Sequence, residues 1–142
     1  MSGFLLDTNV VSELMKPRPN RRVTTWVEST PESLLYLSAL TVGEVRKGID
    51  MLDNRDPRRP ALQSWLDRDV RIRFAGRILS LDDAVAERWG QLEAAARKQR
   101  VTLPTVDAQM AATALHFNLT FVTRNAEDVQ STGIATFNPW NS

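Results

Sequence analysis

Four acidic residues and one amide stand where short apolar runs end or helices begin. Asp7 directly follows Phe4-Leu5-Leu6, Glu44 has Val42 and Val45 close on either side, and Asp107 lies between Val106 and Ala108. Asn125 and Asp128 come just after the apolar run 119–123. Taken singly, each acid has an ordinary role. Asp7 caps a helix, Glu44 completes a capping box with Thr41, and Asp107 complements a helix dipole. Taken together, their apolar neighbours imply partial burial, and clustered buried carboxylates repel one another unless a cation neutralises them. The sequence has a single His (His116) and no Cys, so any metal must be held by oxygen. Hard divalent ions fit such a donor set, and the chemistry it serves best is phosphoryl transfer through activated water.

The elements that position these residues follow from periodicity. Residues 4–6, 33–38, 77–81, 119–123 and 134–137 are expected to be buried strands, the run 119–123 giving the strongest signal. Helices are expected from Asp7-Thr8-Asn9 through Met15, over about 23–29, from the capping box at 41–44 to about 52, over 57–70, over 82–98, and from Pro104 to His116. Ala84, Val85, Trp89, Leu92 and Ala96 share one face of the longest of these. Strands alternating with helices predict an α/β fold with a mainly parallel central sheet and helices on both faces, formed by residues 1–142 as one domain. Ligands of such sheets bind outside the carboxyl ends of the strands, where Asp7 and Asn125 fall.

Bulk properties narrow the function classes. The net charge is +1, so any basic surface for nucleic acid must be local. The absence of Cys excludes disulfides and zinc–thiolate sites and fits a reducing, cytoplasmic setting. No apolar stretch approaches the about 18 residues of a membrane span, and no signal peptide is visible.

At these residues the chain resembles the PIN-domain family, specifically its VapC-type and FitB-type toxins. Residues 5–14 (LLDTNVVSEL) resemble the family's opening strand and first acid, and residues 38–48 (SALTVGEVRKG) its second-acid segment. Residues 103–114 (LPTVDAQMAATA) resemble the third-acid helix, and Phe121-Val122-Thr123-Arg124-Asn125 with Asp128 the fourth segment. Asn138-Pro139-Trp140 is similar to the ending of the FitB-like branch. The resemblance implies a three-layer α/β/α PIN fold and Mg²⁺-dependent cleavage of RNA, with Mn²⁺ able to substitute. It also implies a small cognate antitoxin and a homodimer. It carries over Asp7, Glu44 and Asp107 as the acidic site, with Asp7 and Asp107 as direct metal ligands. Thr8, Asn9 and Thr123 become polar neighbours that orient ligands or water. Many family members have Asp where this chain has Asn125, so Asn125 is expected to line the site as a neutral oxygen donor, with Asp128 further out.

Other features admit two readings. Residues 55–77 carry seven Arg against three Asp, either a face laced with ion pairs or an RNA contact. Lys16, Arg18, Arg21 and Arg22 form a second basic cluster. The four Trp are expected in the core or at interfaces, Glu13 at the surface, and Asp82 and Asp83 at a helix cap. An antitoxin helix is expected over Val10, Val11, Leu14 and Val45, unless those four face the core. An alternative is a catalytically weak PIN-like module that acts only with its antitoxin, which Asn125 favours. A receiver-like phosphotransfer protein would want a Lys near the acids, and Lys is confined to Lys16, Lys47 and Lys98.

Overall fold

The structure, a computed structural model, describes residues 2–142. Its sheet has strands β1 (Phe4–Leu6), β2 (Leu35–Ser38), β3 (Ile78–Leu79), β4 (Thr120–Val122) and β5 (Thr136–Phe137). They run parallel in the order β3-β2-β1-β4-β5. The strands are short and apolar because both faces of the sheet are covered. Side chains alternate across it, which sorts the core into two layers. Leu6 and Val122, paired in register, join Leu35 and Leu37 on one face. Leu5 and Phe121, also paired, point to the other.

The first layer packs α1 (Thr8–Leu14), α2 (Arg21–Ser29) and α3 (Ala39–Asp50) on the sheet through Val10, Val23, Val27, Val45 and Ile49. A further helical stretch completes this layer. It runs from α4 (Arg59–Ser64) through a wide turn of the i→i+5 type (Trp65–Val70) to α5 (Arg71–Arg73). The second layer is α6 (Asp83–Lys98) and α7 (Thr105–His116), where small residues (Ala108, Ala111, Ala114) let α7 approach Phe121. The expected α/β/α sandwich with a parallel sheet is therefore found. Gly3 enters β1 against β2, and a Cβ there would meet the Leu34 carbonyl and the Tyr36 ring at 2.8 Å, so no larger residue fits.

Three local expectations change. Helix α3 begins at Ala39, directly after β2, with Ser38 Oγ accepting from Leu40 N at 3.0 Å. Ser38 ends its strand with extended backbone angles and so serves as the cap itself. Thr41 and Glu44 thus lie inside the helix, Thr41 buried, rather than forming a capping box. The second strand is shorter than expected, because Glu32–Leu34 closes as a turn of 3₁₀ helix. The helix expected over 57–70 starts two residues later and continues through the wide turn to Arg73. Asp82 caps α6 as anticipated, accepting from Val85 N at 3.0 Å.

The arginines of residues 55–77 are largely paired. Arg58 meets Asp56 at 2.8 Å, Arg59 holds the Leu52 carbonyl at 2.7 Å, and Arg73 meets Glu32 at 2.7 Å. Arg77 donates to the carbonyls of Glu32 and Leu35, and Asp67 pairs with Arg46. The ion-pair reading accounts for most of this segment. Val10 and Val45 face the core. Only Val11 and Leu14 of the four expected groove residues line a surface groove, with Trp65, Val70 and Phe74 opposite.

Candidate active site

The chain runs β1, β2, β3 toward one edge of the sheet and β4, β5 toward the other, so the strand order switches between β1 and β4. Crevices form at such a point, beyond the carboxyl ends of the strands. An open cavity of about 440 Å³ lies there. Asp7, Glu44, Asp107 and Asn125 all line it, with Thr8 and Asn9. Residues separated by more than a hundred positions in sequence thus share one space.

Asp7 is placed by both strands. Its N–H donates to the Val122 carbonyl at 2.9 Å, extending the β1–β4 ladder by one residue. Its carboxylate is then held from three sides. Oδ1 accepts from Thr8 N at 2.7 Å, and Oδ2 accepts from Thr123 Oγ1 at 2.8 Å and from Asn9 Nδ2 at 3.2 Å. The cap and the site residue are therefore the same group. Thr123 Oγ1 also accepts from Asn125 N at 3.1 Å, which fixes the turn after β4.

Glu44 reaches the cavity from the second turn of α3. Its Oε1 accepts from Thr8 Oγ1 at 2.5 Å, and Thr8 Oγ1 lies 3.3 Å from the buried Thr41 hydroxyl. Asp107 stands in the first turn of α7 and enters the cavity from the second layer. Asp128 lies in the 3₁₀ turn Ala126–Thr132 and is exposed, near enough that its charge acts on both Asp7 and Asp107.

The electrostatics follow from that crowding. Burial raises the Asp7 pKa above the usual carboxylate range, opposed by the bonds from Thr123 and Thr8 and reinforced by the charges of Glu44 and Asp128. Asp107 is pushed up to about 6, first by burial and then by Asp7, Asp128 and Glu44. Among the described residues no three acidic or imidazole side chains form a closed cage for an ion. Asp7, Glu44 and Asp107 line the cavity without all three converging on one point.

Sequence reasoning missed part of one wall. Glu13, expected at the surface, is buried and lines the cavity. Its Oε1 accepts from Lys16 Nζ at 2.9 Å and its Oε2 from Asn20 N at 2.8 Å, and these bonds lower its pKa. Asn9, Glu13 and Lys16 fall at i, i+4 and i+7, a polar stripe on α1 that could have signalled a lined cavity. Arg124 and Trp140 complete the wall, and nothing in their local sequence pairs them. Trp26 packs between Phe4 and Phe137, and His116 ends α7, as expected for both.

A parallel sheet in this order, with an acid after β1 and another opening α7 across the switch point, defines a class. The family model of the PIN domain matches residues 4–131, and the chain belongs to the PIN-domain family. Within it the chain is 39% identical over 138 residues to the toxin FitB of Neisseria gonorrhoeae, covering 97% of this chain and 99% of that one. It is 35% identical over 137 residues to the VapC ribonuclease Y4jK of Sinorhizobium fredii, covering 96% and 97%. The crystal structure of FitAcB from Neisseria gonorrhoeae superposes with a TM-score of 0.92 at 37% identity, over 98% of this chain and 99% of that chain.

Proposed function

We propose that this chain, one PIN domain over residues 1–142, is the ribonuclease toxin of a toxin–antitoxin pair, hydrolysing RNA phosphodiester bonds in the cytoplasm with Mg²⁺. The observation that carries the reading is the pair Asp7 and Asp107. They face one cavity from opposite layers, and the pKa of each is raised by burial and by neighbouring charge. Crowded carboxylates of this kind repel one another when ionised, and a bound cation relieves that repulsion.

The residues fit that ion. Every candidate donor is a hard oxygen, and Asn9 Oδ1 is buried beside Asp7 with no hydrogen-bond partner. Mg²⁺ prefers one or two direct carboxylates with water in the remaining positions, which suits a cavity without a three-carboxylate cage. Asp7 and Asp107 would hold it, and Mn²⁺ would substitute. When bound, the cation supplies Lewis acidity that sharpens a water nucleophile and steadies the leaving oxygen. The protein's own part is orientation. Thr123, Thr8 and Asn9 lock the Asp7 carboxylate, and such supporting bonds tune a metal ligand. Thr8 occupies one oxygen of Glu44, leaving the other to accept from the attacking water. Asn125 lines the mouth as a neutral group, and Asp128 adds charge from outside.

The antitoxin would cover the groove of Val11, Leu14, Trp65, Val70 and Phe74, and the free toxin would be a homodimer, checked by sedimentation. Incubation with total RNA in Mg²⁺ or in EDTA tests the activity. Magnesium-dependent fragments with 5′-phosphate ends, lost in Asp7→Ala, are expected. Inertness together with tight antitoxin binding would select the second reading, a module disarmed by Asn125.

A further inference from the structure

One wall of the cavity takes no part in holding Asp7, Glu44 or Asp107. Lys16, Arg124 and Trp140 form it. The Arg124 guanidinium lies over the Trp140 ring, its central carbon 5.1 Å from the ring centre. The backbones of the two are tied together. Asn138 Nδ2 donates to the Arg124 carbonyl at 3.2 Å, and Asn138 Oδ1 accepts from Trp140 N at 2.9 Å. Arg22 donates to the Trp140 carbonyl at 3.3 Å, and the indole packs on the core beneath. Arg124 directly follows Thr123, whose hydroxyl holds Asp7, so β4 sets the stack at a fixed place beside that carboxylate.

Arg124 is exposed and makes no ion pair among the described residues. The closest anionic side chain of this wall, Glu13, has both oxygens engaged by Lys16 and Asn20 N, and acts on Arg124 only through its charge. The Arg124 guanidinium over the indole donates no hydrogen bond to another described residue, and its free donors match a phosphate in a two-pronged contact. Acids able to hold a cation, beside the unpaired Arg124 guanidinium and the Lys16 ammonium that Glu13 engages, suit a polyanion with regularly spaced charges. A cation held by the acids would meet one phosphate while Arg124 meets its neighbour, a spacing that a ligand with a single carboxylate cannot match.

We propose that Arg124, stacked on Trp140 and assisted by Lys16, binds the phosphate next to the scissile one and sets the register of the RNA backbone in the site. The proposal rests on reading the cavity as a phosphodiester-cleaving centre. Arg124 and Trp140 act as one unit, the indole fixing the guanidinium and the guanidinium meeting the RNA.

Fluorescence anisotropy of a short fluorescein-labelled single-stranded RNA tests this on the full chain, with Ca²⁺ in place of Mg²⁺ and KCl varied. Arg124→Ala is expected to weaken binding about tenfold and to lower the slope of log affinity against log salt by about one. Arg124→Lys should recover the slope but not the whole affinity, because it restores the charge without the plane. Trp140→Phe should retain most of the binding. Trp140→Ala should match Arg124→Ala, and the double variant should be no worse than either. An unchanged affinity and slope in Arg124→Ala overturns the proposal, as do additive losses in the double variant. If Trp140→Ala fails to fold, Arg124→Ala, Arg124→Lys and Trp140→Phe decide alone. A wild type that binds RNA through Arg124 yet never cuts it with Mg²⁺ sinks the nuclease reading and upholds the subsite. A wild type that cuts RNA while Arg124→Ala binds unchanged sinks the subsite only. A wild type that binds no RNA overturns both.

Discussion

Asp107→Asn should make the metal-free protein more stable at neutral pH, although it removes a metal ligand. The Asp107 carboxyl has its pKa raised from 3.8 to about 6 by burial and by three nearby acids. Below about pH 4 the folded and unfolded chains both hold the proton, and Asp107 costs nothing. Between about pH 4 and 6 the unfolded chain releases it while the folded chain retains it, so stability falls as pH rises. Above about pH 6 the deficit is constant. A shift of about two units corresponds to a ceiling of about 3 kcal/mol. Solvent entering the open cavity screens the charge, which reduces the effect to roughly 1 kcal/mol. For a chain of this length that is a rise in Tm of roughly 3 °C. The assay is thermal unfolding of wild type and Asp107→Asn in EDTA at about pH 4 and about pH 7.5, below the first and above the second of which the linkage is flat. The variant should gain at the higher pH only. Saturating Mg²⁺ should then raise the wild-type Tm while leaving the variant nearly unmoved, closing the gap. An equal gain at both pH values, or a loss at neutral pH, would refute the claim that charge crowding governs this carboxyl.

Three further outcomes are expected. Thr123→Val keeps the shape of the side chain but removes the 2.8 Å bond to Asp7, and calorimetry should show metal affinity down about 10–100-fold with the melting curve little changed. Asn125→Asp restores a carboxylate at the cavity mouth and should tighten Mg²⁺ binding without RNA, whereas exposed Asp128→Ala should alter it less than Asn125→Ala does. If only Asp128→Ala loses metal in the titration, the fourth position belongs to Asp128. Phe121→Ala empties the centre of the second layer, where the ring is 1% exposed, and urea unfolding should show a loss of about 3–5 kcal/mol.

The sequence exposed what depends on position along a single element. Asp7 and Asn125 could be placed because each directly follows an apolar run, and the turn from strand to helix at Asp7 carried its own capping chemistry. Asp107 could be placed because Pro104 marks where α7 begins. Glu44 was assigned to the wrong turn, since Thr41 and Glu44 have capping-box spacing while Ser38, already extended at its strand end, takes the role first. Glu13 was hidden for a different reason. A carboxylate is buried here only because the backbone N–H of Asn20, seven positions on, turns back to meet it, and no periodicity encodes that return. The Arg124–Trp140 stack depends on β5 carrying the chain's last residues back beside β4, a matter of topology rather than pattern.

The strand order has a consequence for how this chain comes into being on the ribosome. β1 is the first strand to be synthesised, yet it lies in the middle of the sheet and needs β4, more than a hundred residues later, to complete its pairing. Asp7 cannot meet Thr123 until that later strand has emerged and docked. Nascent chains fold from the N-terminus as they appear, but a parallel sheet closed by so distant a partner forms late and slowly. A chain that stops before Thr123, whether still being translated or cut off by a premature stop, lacks the residue that locks the first acid. The pocket that holds Asp7 is thus completed only when synthesis is nearly finished.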